Sequence, residues 1–138
     1  MKKSKIKVIG SVGQIELLQH QCNPETVRDG RGGIFTWIPD HDIKEFNLVI
    51  IKPNKMRGNH YHPEFIEYFL VVSGKLLLTT EDKANKEIVN FLASPGMCFR
   101  TPIGTSHSFH AIDESTCISL LTKPWDECEK PIITSSIV

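Results

Sequence analysis

Short runs of β-branched and aromatic residues alternate along the chain with clusters of glycine, proline and charged residues, at spacings of about eight to twelve residues. Such runs predict strands, and no stretch repeats its apolar residues with a helical period. The predicted strands cover residues 6–9, 15–18, 34–38, 46–53, 66–72, 75–80, 87–92, 97–101, 106–112 and 116–122. This pattern favours an all-β protein, a small antiparallel barrel of two packed sheets with jelly-roll topology.

Glycine-containing clusters mark the predicted turns. Ser73-Gly74 predicts a tight hairpin between the strands at 66–72 and 75–80. The cluster Asp29-Gly30-Arg31-Gly32-Gly33 predicts a turn just before the strand at 34–38, because clustered glycines permit positive φ.

The whole chain, residues 1–138, is predicted to form a single domain, since this length buries a core without disulfide staples. The barrel core is placed at 34–122, after an entry arm. The tail at 123–138 is too apolar for a free terminus, so it either packs along the barrel or pairs with a neighbouring chain. Because exposed sheet edges need covering, the pattern favours a homodimer.

Charge and cysteine content narrow the class of partner. Sixteen basic and sixteen acidic residues leave no net charge, which argues against nucleic acid or an acidic membrane as a partner. The four cysteines form no CxxC pair and are predicted to be free thiols in a reducing compartment. No run approaches the ~18 apolar residues of a membrane span. These features predict a cytoplasmic protein that binds a small molecule.

Three histidines and one glutamate have the spacing of a metal site. His60 and His62 are two residues apart, so an extended strand points both imidazoles to one side. Glu67 heads a strongly apolar strand, where an ionised carboxylate is costly to bury without a cation. A turn at residues 102–104 leads to His107. The set predicts a divalent ion, Zn, Fe, Mn or Ni; the alternative is that these are hydrogen-bonded core histidines.

Two further residues compete for a place near this site. Glu64 is an alternative carboxylate, but the proline before it predicts the tip of a turn, so Glu67 is preferred. His110 lies three residues after His107 and is predicted to point to the opposite face of its strand.

The same residues carry a family resemblance. His60-x-His62, four residues, Glu67, six residues and Gly74 resemble the first motif of the cupin superfamily, and Gly96 to His107 resembles the second. The resemblance, of RmlC-like type, implies a double-stranded β-helix, or cupin barrel, with the two histidine-containing motifs at its metal site. Asn54 and Ala111 replace a glycine and an asparagine that the motifs usually contain, at positions that do not normally hold the metal.

Two arginines extend the resemblance toward particular enzymes. Asp29-x-Arg31-Gly32, followed by Arg57-Gly58-x-His60, resembles nucleotide-sugar 3,5-epimerases and related cupins of surface-polysaccharide synthesis. The resemblance implies that Arg31 and Arg57 contact substrate phosphates, for which the planar guanidinium is suited. The alternative for Arg31 is a solvated loop. Arg100 is a third candidate to hold an anionic group.

The proton-transfer residues distinguish several possible activities. The 3,5-epimerases use a histidine base and a tyrosine acid, but Tyr61 and Tyr68 are predicted to point away from the cavity. The 3,4-ketoisomerases shuttle protons with a histidine pair, which His60 and His62 resemble more closely. The sequence therefore leaves open a metal-dependent enzyme on a carbonyl or sugar substrate, a metal-free ketoisomerase, an iron-dependent dioxygenase and a non-catalytic binding cupin.

Overall fold

A computed structural model describes residues 6–20 and 28–138. In these ranges the chain forms eleven strands and one 3-10 turn. The elements are β1 (Lys7–Val12), β2 (Ile15–Gln19), β3 (Arg28–Asp29), β4 (Gly32–Gly33), β5 (Glu45–Ile51), β6 (Met56–Tyr61), β7 (Glu67–Glu81), β8 (Ile88–Ala93), β9 (Cys98–Thr101), β10 (His107–Leu121), the 3-10 turn (Trp125–Glu127) and β11 (Ile133–Thr134).

The strands form a curled antiparallel sheet, which confirms the predicted all-β jelly-roll fold. Nine strands pair in the order β1-β2-β9-β7-β10-β6-β11, with β5 beside β10 and β8 beside β7, while β3 and β4 form a separate hairpin. The long strands β7 and β10 pair along nearly their whole length and are shared by both halves of the barrel. They therefore connect the two layers whose inner faces enclose the core.

Aromatic and aliphatic side chains from the inner faces fill the barrel. Phe69 and Phe109 stack with ring centroids 4.1 Å apart, and Phe99 is fully buried beside them. Cys98 and Cys117 are buried free thiols, as predicted, whereas Cys22 lies outside the described residues. No helix within the described ranges is long or apolar enough to cross a membrane.

The predicted hairpin at Ser73-Gly74 is wrong, because β7 runs through it without a turn. Gly74 has φ +94°, and a Cβ added there would meet the backbone of Glu114 at 2.5 Å. The opposing strand β10 shifts register between Asp113 and Thr116. The glycine therefore marks a bend at which two strands approach closely, and the same bend joins the two predicted strands at 106–112 and 116–122 into one.

The predicted strand at residues 34–38 is also wrong. This segment makes only an isolated bridge at Thr36 and passes over the outer face of the sheet. Trp37 packs there against the cluster of Leu18, Tyr68 and Cys98, and its indole N–H lies 3.4 Å from the Leu18 carbonyl. Trp37 therefore packs on the sheet without pairing in it, and strand propensity does not distinguish these two roles.

An ionic network fastens this segment to the sheet. Arg100 donates to both carboxylate oxygens of Asp40, at 2.8 and 2.9 Å, and pairs with Glu16 at 2.9 Å. The Tyr68 hydroxyl donates to Asp40 at 2.7 Å. Burial raises the pKa of Asp40, but the Tyr68 hydrogen bond and Arg100 outweigh it and hold the pKa at about 2, below the usual 3.8. Arg100 is thus part of a stabilising clasp.

Removing the Asp40 charge should change how folding stability depends on pH. Because the pKa of Asp40 is lower in the folded state, its contribution is full above about pH 4 and lost as the pH falls toward 2. The contribution is about 1 kcal/mol after allowance for the partial exposure of the carboxylate. Chemical denaturation between pH 2 and 5 should therefore show a shallower loss for Asp40→Asn than for the wild type. Asp42→Asn, an exposed neighbour, should follow the wild type, and equal slopes for all three would contradict the assignment.

The carboxyl-terminal tail returns to the barrel of its own chain. Strand β11 pairs with β6, placing Ile133 opposite Tyr61 and Thr134 opposite His60. Farther along, the amides of Ile137 and Val138 donate to the Asn59 side chain. Of the two arrangements expected for this apolar tail, the structure contains the intramolecular one.

Candidate active site

A cavity of about 410 Å³ opens between β5, β6 and the central strands. Its wall combines apolar side chains, including Phe69 and Phe109, with the predicted histidines and Glu67. It is within the size range of small-molecule sites, which are concave and mostly apolar with a few convergent polar groups. This cavity is the candidate active site.

Three strands deliver the four candidate ligands. His60 comes from β6 and His62 follows the end of that strand, while Glu67 begins β7 and His107 begins β10. Antiparallel pairing places His107 directly opposite His60. The nitrogen donors of the three histidines all lie within 4.8 Å of one another. The fold therefore brings together residues from two motifs that lie far apart in the sequence.

Glu67 lies beside two of these histidines. Its Oε1 is 3.5 Å from His62 Nε2 and 3.6 Å from His107 Nε2, and the three side chains are almost completely buried. Its other oxygen accepts a 2.6 Å hydrogen bond from the Ser119 hydroxyl. Glu64 is engaged elsewhere, with the Lys123 ammonium at 2.8 Å and the Lys130 amide at 2.6 Å. The geometry thus selects Glu67 over Glu64 as the carboxylate of the cluster.

Backbone carbonyls set the orientation of two imidazoles. His62 Nδ1 lies 3.1 Å from the carbonyl of Pro131, and His107 Nδ1 lies 2.9 Å from that of Thr105. A carbonyl only accepts, so each Nδ1 donates and the Nε2 of each ring is the nitrogen that faces Glu67. This arrangement, in which the second nitrogen fixes the ring, is typical of metal-binding histidines.

The charges of these groups suit a cation. Burial lowers the pKa of His60 to about 4, with further lowering from His107 and His62, and burial also lowers the pKa of His107. Burial raises the pKa of Glu67, but the nearby side chains of His62 and His107, together with the hydrogen bond from Ser119, outweigh it and bring the pKa to about 2. An ionised carboxylate therefore faces the imidazole nitrogens in a buried site.

The donor set fits a divalent ion. The Nε2 atoms of His62 and His107 lie 3.5 and 3.6 Å from Glu67 Oε1, and the buried His62 Nε2 has no hydrogen-bond partner among the described residues. Ligands bound at about 2.1 Å to one ion lie about 3.0 to 4.2 Å apart, so the 3.5 and 3.6 Å distances from Glu67 Oε1 already fit. The histidine donors, which lie within 4.8 Å of one another, would move closer together on binding. Three imidazoles and one carboxylate suit Zn, Fe, Mn or Ni.

The three candidate arginines lie in different places. Arg57 lines the cavity, with its Nε 3.4 Å from the Ile50 carbonyl. Arg31 is exposed in the turn between β3 and β4, and Arg100 is in the outer clasp; neither is among the described residues that line the cavity. Tyr61 and Tyr68 are likewise outside the described lining. The structure thus places one of the three arginines beside the histidine cluster.

Several lining residues were not predicted from the sequence. Ser119 lies twelve residues after His107 on the same strand, an even spacing that points both side chains to the same face. The sequence pattern predicts two separate strands here, so it does not reveal this relation. Glu45 and Asn47 begin β5, and Trp125 follows β10. No local motif distinguishes these three, since their positions depend on how distant strands meet.

Comparison with solved structures relates the fold to sugar-nucleotide enzymes. The chain is 13% identical to the RmlC dTDP-6-deoxy-D-glucose-3,5-epimerase from Legionella pneumophila, with a TM-score of 0.73 over 94% of this chain and 77% of that one. For a 3,4-ketoisomerase from Helicobacter canadensis the identity is 16% and the TM-score 0.72, over 88% and 91%. These likenesses confirm the RmlC-like cupin fold.

A third similar solved structure is that of a longer protein. The capsular polysaccharide assembling protein CapF from Staphylococcus aureus is 24% identical over 80% of this chain, with a TM-score of 0.62. The match covers 33% of the CapF chain, so this chain corresponds to about one third of that protein.

Sequence comparison gives the family. No curated protein sequence matches this chain significantly. The family model described as the polysaccharide biosynthesis C-terminal domain matches residues 27–127, which is well over half of the chain and includes both histidine-containing motifs. The chain therefore belongs to the polysaccharide biosynthesis C-terminal domain family.

Proposed function

We propose that this domain binds a divalent metal ion through His60, His62, Glu67 and His107 and catalyses an epimerase- or isomerase-type reaction on the keto-sugar part of a nucleotide sugar. The observation that carries the proposal is the approach of the His62 and His107 Nε2 atoms to one buried carboxylate oxygen, at 3.5 and 3.6 Å. A cation at this point would bind the lone pairs of both nitrogens and of the carboxylate.

The remaining cavity residues suit a sugar nucleotide. Arg57 offers paired donors to the phosphates, and Phe69 and Phe109 form an apolar floor that excludes water. The polysaccharide-biosynthesis family and the epimerase and ketoisomerase neighbours support this substrate class. A bound divalent ion supplies positive charge that favours loss of a proton from the carbon beside a ketone.

In the metal-bound form, the proton acceptor must be a residue outside the four ligands, because a coordinated imidazole is not a free base. Among the described residues that line the cavity, Glu45 is the remaining carboxylate. Its oxygens accept from the Trp125 amide at 2.9 Å and the Asn47 side chain at 2.8 Å, which fix its position. We therefore assign the proton transfer to Glu45.

A second candidate, a metal-free ketoisomerase, is favoured by one feature of His60. This ring is half-buried at the cavity, and within the described chain neither of its nitrogens has a hydrogen bond to fix it. With a pKa of about 4 it is neutral at pH 7 and able to accept a proton. In that reaction His60 and His62 would carry the protons.

Metal content and proton exchange together decide between the two. Elemental analysis of purified protein should give one divalent ion per chain, and a 4-keto-6-deoxy nucleotide sugar in deuterated water should gain deuterium beside its ketone. Glu45→Gln should keep the metal and lose at least 100-fold of the exchange rate, as expected for a general base. Protein that exchanges protons at full rate without metal, and with Glu45→Gln, would support the second candidate.

Failure of exchange has a defined meaning. A metal-loaded protein that binds the nucleotide sugar but incorporates no deuterium would be a binding module. Oxygen consumption by the iron-loaded form, with oxidation of the ligand, would identify a dioxygenase. Either result overturns the isomerase proposal.

A further inference from the structure

Trp125 has an unusual position for a large aromatic residue. It lies in the 3-10 turn at the rim of the cavity and lines it, yet 42% of its surface is exposed. Its ring centroid is 6.4 Å from that of His62 and 6.3 Å from that of Phe65. The exposed part of this ring therefore leaves apolar surface available beside a ligand-sized cavity.

The segment that carries Trp125, residues 123–131, is firmly attached to the barrel. We refer to it as the rim segment. The Trp125 amide donates to Glu45 at 2.9 Å, and Glu64 accepts from both the Lys123 side chain and the Lys130 amide. At the end of the segment, the Pro131 carbonyl accepts from His62. The ring is therefore held in a fixed position relative to the histidine cluster.

We propose that Trp125 is a specificity-determining residue, the surface on which the hexose ring of the substrate stacks; this inference rests on the proposed function. The face of an indole carries negative charge density, and the C–H bonds on one face of a pyranose present weak positive charge. A hexose whose reacting carbons lie against the histidine cluster would meet the exposed part of the Trp125 ring beside His62, since both residues line the same cavity. Stacking there fixes which face of the sugar is turned toward the cluster.

The positions of Arg57 and Trp125 along β5 indicate that Trp125 meets the sugar of a nucleotide sugar and not its base. Trp125 is bonded to Glu45 at the start of β5, whereas Arg57 contacts Ile50 near the end of that strand. Five residues of strand separate these points by about 17 Å. Phosphates bind at the Arg57 end, so the base, which lies beyond the phosphates, is on the side away from Trp125. The ring at the other end therefore meets the hexose.

The chain provides a matched pair for a fluorescence test, because it contains two tryptophans. Trp37 lies on the outer face of the sheet, packed near Leu18. In Trp37→Phe, where Trp125 is the remaining fluorophore, a 4-keto-6-deoxy nucleotide sugar should change the emission, while the matching nucleoside diphosphate should change it little. In Trp125→Phe, emission from Trp37 should respond to neither ligand.

Affinity measurements complete the test. By calorimetry, Trp125→Ala should weaken binding of the nucleotide sugar about 5- to 10-fold, as expected for one lost stacking contact, and leave binding of the nucleoside diphosphate unchanged. Trp125→Phe should retain most of the affinity for the sugar. The metal content of both variants should equal that of the wild type, because the ring is not a ligand.

Each contrary result has a separate meaning. Equal loss of affinity for both ligands in Trp125→Ala would show stacking on the base and overturn the inference, as would Trp125 emission that changes with protein concentration alone, which would indicate a covering second copy. Unchanged affinity for the sugar in that variant would overturn it while leaving the proposed function intact. Failure of the wild-type, metal-loaded protein to bind any nucleotide sugar would instead refute the proposed function.

Discussion

His62→Ala is expected to abolish stoichiometric metal binding. His62 is 4% exposed, its Nδ1 is held by the Pro131 carbonyl, and its Nε2 faces Glu67. Loss of one of four ligands removes ion-linked stability, which is about 2.7 kcal/mol when free metal is 100 times its dissociation constant. For a domain of this size, the melting temperature in excess metal should fall by roughly 10 °C. Elemental analysis and thermal denaturation with and without metal measure the two effects.

Two further variants serve as comparisons for His62→Ala, one expected to bind metal normally and one expected to bind it more weakly. His110→Ala removes an imidazole from the same strand as His107 but from outside the cavity lining, and it should keep one ion per chain. Ser119→Ala removes the hydroxyl that orients Glu67 and should weaken metal affinity about 10- to 100-fold without abolishing it. Full metal occupancy in His62→Ala would refute the four-residue site.

Gly58→Ala is expected to have a large effect on folding. Gly58 has φ +113°, and a Cβ there would lie 2.6 Å from the His107 carbonyl oxygen and 2.7 Å from the Ser108 Cα. Both contacts are with backbone atoms, so β6 and β10 must move apart where His60 and His107 face each other. We expect a loss of about 3 kcal/mol of folding stability, together with loss of the metal. Denaturant titration and elemental analysis test both.

A control glycine separates strain from a general effect of substitution. Gly10 lies in β1, and a Cβ there would meet only the Leu17 side chain, at 4.0 Å. Gly10→Ala should therefore change the free energy of unfolding by less than about 1 kcal/mol. If Gly58→Ala unfolded at the same denaturant concentration as Gly10→Ala, the close approach of the two strands would be disproved.

Most strands could be predicted from local pattern because their residues alternate between core and surface. Two of the exceptions share a cause. Residues 34–38 have strand composition, but Trp37 packs on the sheet without pairing in it, and Gly74 has turn composition but allows a close approach between strands. Propensity reports what a residue tolerates, whereas the partner is determined by the rest of the fold.

The sequence by itself determined the identity of the candidate ligands, because two-residue spacing on an extended chain places His60 and His62 on one side and a buried carboxylate requires a partner. Only the tertiary structure decided which arginine stands beside them, since Arg57 and Arg100 look alike in sequence yet lie at the cavity and on the outer face. It also added Ser119, whose bond to Glu67 spans 52 residues of chain. Local periodicity fixes which way a side chain points, but contacts between distant strands depend on how the whole sheet curls.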